Sequence, residues 1–563
     1  MNLSSARLLV ENLLERVELD SVTGKFRLGT ISLMEKKALE TLLTVESEVA
    51  PQSKNIGATP VAPILVQTTS NETANIVPEI FEPPLLSQVT HNVVLDLKST
   101  HFSKPENPEI IACLDFGTSM SKAFAMKRDS TPVELALGKR AGASGYPVDS
   151  SLFISDDGIL YFGPQAVSMG VAMASLGRVR FDSPKASFSM GEQIDLNRKP
   201  LAHGINPTDI NMSEGEMITL YLAYLTDLAV SELEEKGYSR YCSRRFARPC
   251  WPEERNRWAE PLLKRMLAQA QILADTFHDR WQDGLPLAEV KQALIQLASL
   301  PTLPDYLLGE GVPEPVAAAA SLMLSDEAQR ELFLVIDVGA GTTDFGVFLL
   351  QSNPDRDICL VRIVPGTILY LQQAGNRIDD LLKFFVLGLE GVDMASPEGS
   401  HNLKFLQSTI RLHKEALFRD GIVEVPLANG SRVVVERDAF LGSQLPKAFK
   451  QLLNNEVKRV LEEVGDGYLD LMKNTRLNVV LTGGGADLPM IQELAHGHIE
   501  VRGRKIMRRP TSKAPTWISE QYPQFTSQYP QLAVAIGGAN PELPKMAASF
   551  SDFGGLSHST YTS

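Results

Sequence analysis

The sequence predicts a mixed α/β protein built from two duplicated lobes, and three stretches predict it. Residues 110–127 and 331–350 each read as an apolar strand ending in an aspartate, a small-residue turn carrying hydroxyls, and an apolar return strand. They lie roughly 220 residues apart, the spacing of duplicated lobes rather than of a solenoid. Residues 477–494, LNVVLTGGGADLPMIQEL, add a strand, a triple glycine and a helix with Leu488, Ile491 and Leu494 at helical spacing.

The chain has 563 residues, too many for one core, so two to four domains are expected. Its 44% hydrophobic and 22% charged residues are ordinary for a globular protein. The net charge of −14 argues against a general nucleic-acid or anionic-membrane binder. No apolar run reaches the roughly 18 residues of a membrane span, and the N-terminus alternates apolar and charged residues, unlike a secretory signal. Cys113, Cys242, Cys250 and Cys359 form neither a CxxC pair nor a metal-ligand pattern with histidine, so a reduced, cytoplasmic protein is expected.

In chain order, residues 1–48 form a small α+β extension. It has helical spacing over 6–17, a short strand within 25–33 and a second helix over 33–45. Residues 49–107 are rich in Pro, Thr and Ser and read as a linker, with the apolar patch 93–97 able to dock as a strand. The first hairpin follows. Residues 279–311 carry an apolar helical pattern (Leu285, Leu287, Val290, Leu294, Leu297) that pads the first lobe. The basic stretch VRGRKIMRR at 501–509 reads as a solvated loop.

At the second hairpin, Gly339, Ala340 and Gly341 allow close backbone approach, and their N–H groups suit an anion. Thr342 adds a hydroxyl. Asp337 and Asp344 place two carboxylates beside this nest, as a magnesium-nucleotide site requires, because Mg²⁺ takes oxygen ligands and keeps water. Asp115, Gly117, Thr118 and Ser119 repeat the arrangement. Either stretch alone also reads as a plain hairpin; two of them, one per lobe, would grip a phosphate chain from opposite sides. Gly483, Gly484 and Gly485 would let a flat base or a sugar lie against backbone. Neither the GxGxxG fingerprint nor GxxxxGK[ST] is present, which excludes a Rossmann dinucleotide site and a P-loop.

These motifs, in this order, resemble the actin-like ATPase superfamily, and the detail is similar to its DnaK-type heat-shock protein 70 branch. VPEPVAAAASL (312–322) resembles that family's NEPTAAA segment, GTILYLQQAGNRIDDLL (366–382) its GDTHLGGEDFDNRL, and QYPQLAVAIGGA (528–539) its final AVAYGAA helix. YPVDSSLFISDDGILYFGPQAV (146–167) and the segment RFARPCWPEERNRW are similar to the family's post-hairpin strand pair and its strand–turn–helix. The resemblance covers roughly residues 108–542. It implies a two-lobed actin-like ATPase with duplicated ribonuclease-H-like lobes: lobe I over 108–328, lobe II over 329–527, a helix over 528–542 returning to lobe I, and a flexible tail over 543–563.

The resemblance further implies ATP/ADP and Mg²⁺ as ligands. Asp115 and Asp337 would hold the hydrated metal, mostly through water, and Asp344 with Asp337 would position the attacking water. Glu314 would be a nearby metal carboxylate, Thr342 a γ-phosphate donor and Lys185 the lysine that offsets transition-state charge. Gly117, Thr118, Ser119 and Met120 would cradle the β-phosphate; Gly339, Ala340 and Gly341, with Gly375, would close the opposite wall. Lys414 and the triple glycine would serve the nucleoside. Three positions depart from the family: Arg411 stands where an acidic ribose contact is usual, Asp487 where an arginine follows the glycines, and Ala340 where a glycine is usual. The implied function is a slow ATP-hydrolysing, chaperone-like switch that acts through a protein partner, with the N-terminal extension as a candidate recognition module. With a short remainder after residue 542, no peptide-binding domain is expected from this sequence. The alternative is an actin-like filament former or scaffold.

Overall fold

The computed structural model describes residues 17–19, 26–28 and 93–546, apart from 325–328, 354–357, 474–475 and 512–513. The chain divides into two compact units, Met1–Gln88 and Val89–Ser563. In the first unit, an antiparallel hairpin pairs Val17–Leu19 with Phe26–Leu28; the helices expected over 6–17 and 33–45 otherwise fall outside the described residues.

The second unit is mixed α/β and holds two large sheets with the same local topology. In the six-stranded sheet, β1 (Ile110–Asp115) runs antiparallel to β2 (Met120–Lys127) and parallel to β3 (Ser243–Arg248), which pairs parallel with β4 (Leu308–Pro313). In the eight-stranded sheet, β5 (Gln329–Val338) runs antiparallel to β6 (Thr343–Asn353) and parallel to β7 (Leu477–Thr482). Each central strand therefore carries an aspartate at or next to its last residue, turns back through a tight hairpin, and has a parallel neighbour on its other side. The apolar runs are continuous because both faces of both sheets are buried. Leu332, Leu334 and Ile336 enter one core; Phe333 and Val335, on the other pleat face, enter another.

Five helices matter for the site: α1 (Pro184–Met190), α2 (Glu314–Ala320), α3 (Gly375–Leu389), α4 (Pro397–Asp420) and α5 (Tyr529–Ala539). Helices α2 and α5 share one core with residues of both sheets, including Cys113, Phe124, Val335 and Val480. Their small residues let them touch backbone to backbone: a Cβ at Gly537 would stand 1.7 Å from the carbonyl oxygen of Ala317. At Gly538 it would stand 2.3 Å from Cys113 Sγ in β1. Helix α5 thus returns to the first sheet, and Asn540 Nδ2 ties its end to the Ala320 carbonyl at 2.9 Å.

Three stretches differ from the sequence reading. Residues 93–107, read as linker, are part of the second unit: Val93 is buried, Asp96 N–H donates to Thr276 Oγ1 and Tyr306 Oη donates to the Ser99 carbonyl. A local composition window hides this, because the partners lie about 180 residues or more downstream. The basic stretch 501–509 is not a loop but the turn and second strand of a hairpin, Gly497–Val501 with Arg504–Pro510, whose pleat buries Ile506 and Arg508. The helix after the triple glycine is one turn, Pro489–Gln492. The padding helix over Leu287–Ala298 forms and buries Leu287, Val290, Leu294 and Leu297.

Candidate functional site

A cavity of about 400 Å³, in the size range of small-molecule sites, opens between the two hairpins, the triple glycine and helix α4. Its lining includes Asp115, Gly117, Thr118, Ser119, Met120, Lys185, Glu314, Asp337, Gly339, Ala340, Thr342, Gly375, Lys414 and Gly483 to Gly485. These come from segments scattered over some 370 residues of sequence. Of the residues expected at the site, Gly341 and Asp344 do not line this cavity. Gly341 faces a smaller adjoining compartment, packed against Thr118 of the other hairpin.

Both hairpins have their carbonyls engaged away from a would-be anion. At the first, Ser150 Oγ donates to the Gly117 carbonyl at 2.8 Å, and Ser150 N–H and Arg411 Nη1 donate to that of Ser119. At the second, the N–H groups of Gly375 and Asn376, at the start of α3, take the carbonyls of Gly339 (3.2 Å) and Ala340 (2.7 Å). Ala340 is not among the residues with positive φ, so its methyl costs no backbone strain. Gly483 does sit at φ +86°, and a Cβ there would fall 2.3 Å from the Val338 carbonyl oxygen. Only glycine lets the third motif lie this close to β5.

Four buried carboxylates, Asp115, Glu314, Asp337 and Asp344, are answered by two ammonium groups. Lys122 Nζ meets Asp115 Oδ2 at 3.3 Å, and Lys185 pairs with Glu314. Burial opposes the Lys185 charge, but Glu314, Asp115 and Asp344 outweigh it and raise its pKa. Asp337 and Asp344 face each other across the β5–β6 pair. Burial first, then the neighbouring Glu314 carboxylate, push both well above the usual carboxylate range. Thr482 Oγ1 donates to Asp337 Oδ1 at 2.7 Å. The Cys250 N–H donates to Asp344 Oδ1 at 3.1 Å, while Asp344 Oδ2 is buried without a hydrogen-bond partner. Asp344 is thus drawn back behind the cavity wall by the Cys250 backbone.

The donor set fits Mg²⁺. It is all oxygen, it carries surplus negative charge, and its least compensated members resist ionising until a cation arrives. Among the described residues, no group of three or more His, Cys, Asp or Glu side chains is arranged to hold an ion directly.

The cavity lining also includes the apolar side chains Phe418, Leu488 and Val534 and the charged ones Arg411, Glu415, Arg419 and Asp487. Lys414 pairs with Asp379 at 2.8 Å. Arg411 spans from α4 toward the first hairpin, reaching Asp149 at 3.6 Å besides Glu415 on its own helix.

Among the site residues that sequence reasoning missed are Lys122, Thr482, Cys250 and Asp149. For Lys122 the signal was present: a lysine inside the apolar strand MSKAFAM, seven positions after Asp115 and directly opposite it in register. Known family models were compared with the chain, and none matches.

Proposed function

We propose that the protein is an ATP-binding and ATP-hydrolysing switch, similar to the heat-shock protein 70 branch of the actin-like ATPases, that works through a protein partner. In this reading the two large sheets are the cores of two lobes, and α2 and α5 cross between them. The observation that carries it is the single cavity in which two Asp-ended hairpins, a triple glycine and a surplus of buried carboxylates converge. Gly117 to Met120 and Gly339 to Thr342 would hold the phosphates by backbone N–H groups, with Lys122 and Lys185 supplying positive charge. Bound Mg²⁺ would screen the phosphate oxygens, its waters held by Asp115 and Asp337.

In this reading the acceptor is water, and a small compartment of about 10 Å³, room for one water, adjoins the cavity at Thr118, Lys185 and Thr342. The water oxygen would bond to the γ-phosphorus as the bond to the bridging oxygen breaks, leaving its electrons on ADP and a proton to be released. Catalysis would rest on positioning and electrostatics.

The test is Mg-ATP-dependent thermal stabilisation and ADP formation in wild type, Asp337→Asn and Glu314→Ala. Hydrolysis should fall roughly 100-fold in Asp337→Asn. Affinity capture with ATP and with ADP should recover different partners from wild type only. A wild type that neither hydrolyses nor is stabilised by ATP, or whose partners ignore the nucleotide, would overturn the reading.

A further inference from the structure

A second cleft, of about 490 Å³, lies along the helix Glu214–Glu235 and shares no lining residue with the main cavity. Tyr224, Asp227, Leu228, Glu232 and Glu235 follow one another at helical spacing and so form one face of that helix. The facing walls are Lys139 and Arg140, at the end of the short helix Leu137–Arg140, and Asp279, Trp281 and Gln282, from the segment after the helix Glu253–Thr276. Gln282 Nε2 donates to the Arg140 carbonyl at 3.0 Å and joins these two walls.

The deeper carboxylates are already answered. Asp227 and Glu232 are both more than nine-tenths buried and would be costly without partners. Asp227 takes Arg240 Nη2 at 3.0 Å and His278 Nδ1 at 2.9 Å; Glu232 takes the Ala136 N–H at 3.0 Å and Lys236 Nζ at 3.3 Å. The rim is different. The side chain of Asp279 is 80% exposed and that of Glu235 62%. Four carboxylates line the cleft against the two cations Lys139 and Arg140, a surplus of two negative charges.

Trp281 makes the opposite demand. It is 3% exposed, and Phe162 and Phe277 pack edge-on against its ring at centroid distances of 5.0 and 5.9 Å. Neither offers an oxygen, and Trp281 Nε1 is buried with no hydrogen-bond partner among the described residues. A buried, unpaired indole N–H is costly, so it points to an occupant that brings an acceptor. A metal cation or a simple amine brings none, and an anion would meet the surplus negative charge. A peptide with a basic side chain meets both demands, with a backbone carbonyl for the indole and a cation for the rim.

We propose that this cleft docks a basic peptide segment of a partner protein. A backbone carbonyl of the segment accepts from Trp281 Nε1, and a lysine or arginine side chain is drawn to Glu235 and Asp279. The site supplies a chemistry for the partner of the proposed switch, yet it stands without nucleotide hydrolysis, because the two cavities share no residue. Its rim charges are exposed, so binding weakens as salt rises.

The test is fluorescence anisotropy of the full chain with two labelled octapeptides, one of alternating glycine and arginine and one of alternating glycine and glutamate. The arginine peptide should bind saturably at low salt and the glutamate peptide should not. Trp281→Phe keeps an aromatic ring and removes the donor, and should weaken binding about tenfold. Asp279→Asn is the second variant. Asp279 is a surface residue at φ +62°, a region that asparagine also tolerates, so the fold is kept and binding should weaken roughly threefold. An arginine peptide that binds no better than the glutamate peptide, or equally well to wild type, Trp281→Phe and Asp279→Asn, overturns the docking site. Mg-ATP stabilisation and ADP formation in the same samples report on the ATPase reading separately, and their absence leaves the docking site standing.

Discussion

At the first hairpin the strand-end carboxylate Asp115 faces Lys122 across the strand pair, whereas at the second Asp337 faces another carboxylate, Asp344. The backbones are alike: an apolar strand, a tight turn whose carbonyls are engaged elsewhere, and a return strand buried on both faces. The first hairpin carries its counter-charge in its own sequence. The second has no cation opposite its aspartate: Thr482 Oγ1 and the Cys250 N–H donate to the pair, and although Lys122 and Lys185 lie within electrostatic reach, burial and Glu314 push both aspartates toward the protonated form. Two hairpins of like topology thus differ in charge: the first pairs its own carboxylate with a lysine, the second sets two buried carboxylates opposite each other.

The largest expected difference between the walls concerns their first glycines. A Cβ at Gly117 would lie 1.8 Å from the Met120 carbonyl oxygen, but at Gly339 it would lie 3.2 Å from that of Thr342. Gly117→Ala should therefore cost roughly 4 kcal/mol or prevent folding, and Gly339→Ala about 1 kcal/mol, by urea denaturation. Equal costs would show that the hairpins are not built to different tolerances.

Next comes the charge pair. Lys122→Ala strands Asp115 as a buried carboxylate without its partner and should destabilise by about 3 kcal/mol. Adding Asp115→Ala should recover much of that loss, because the uncompensated charge is then gone. A double variant no more stable than the single one would mean that Lys122 contributes packing, not charge.

The second hairpin should instead announce itself through pH. Asp337 and Asp344 have raised folded-state pKa values, so the folded chain holds protons that the unfolded chain has released. Their stabilisation is complete below the ordinary carboxylate pKa and is lost as pH rises through the folded values. Nucleotide-free protein should lose up to about 1.4 kcal/mol per pH unit per group between mildly acid and slightly alkaline pH. Asp344→Asn should flatten that slope; an unchanged slope would remove the aspartate pair as its source.

How far the sequence discloses this depends on the range of the interaction. The hairpins were legible because strand, turn and return strand occupy some 18 consecutive residues, and their repetition marked them as one device. Glu314 and the triple glycine were placed by motif order, and Lys185 lies in the cavity although its flanking residues give little guidance. What stayed hidden is set by tertiary approach: the Cys250 N–H that draws Asp344 behind the wall, the reach of Arg411 to Asp149, and the compartment joining Ser189, Trp251 and Tyr370. No local period connects such residues. The docking of 93–107 was obscured for the same reason.

The smallest expected effect lies at Ala340, where the resemblance leads one to expect glycine. Were φ positive there, glycine would relieve strain and stabilise the turn. Ala340 lies outside that region, and its carbonyl is already fixed by the Asn376 N–H at 2.7 Å. Ala340→Gly then gains nothing in the folded state and gives the unfolded chain more freedom. It should lower stability by about 0.5 kcal/mol and, under the proposed ATPase reading, leave hydrolysis within about twofold of wild type. A stabilised Ala340→Gly would instead place this residue in the left-handed region in solution, and the second hairpin would then differ from the first in backbone as well as in charge.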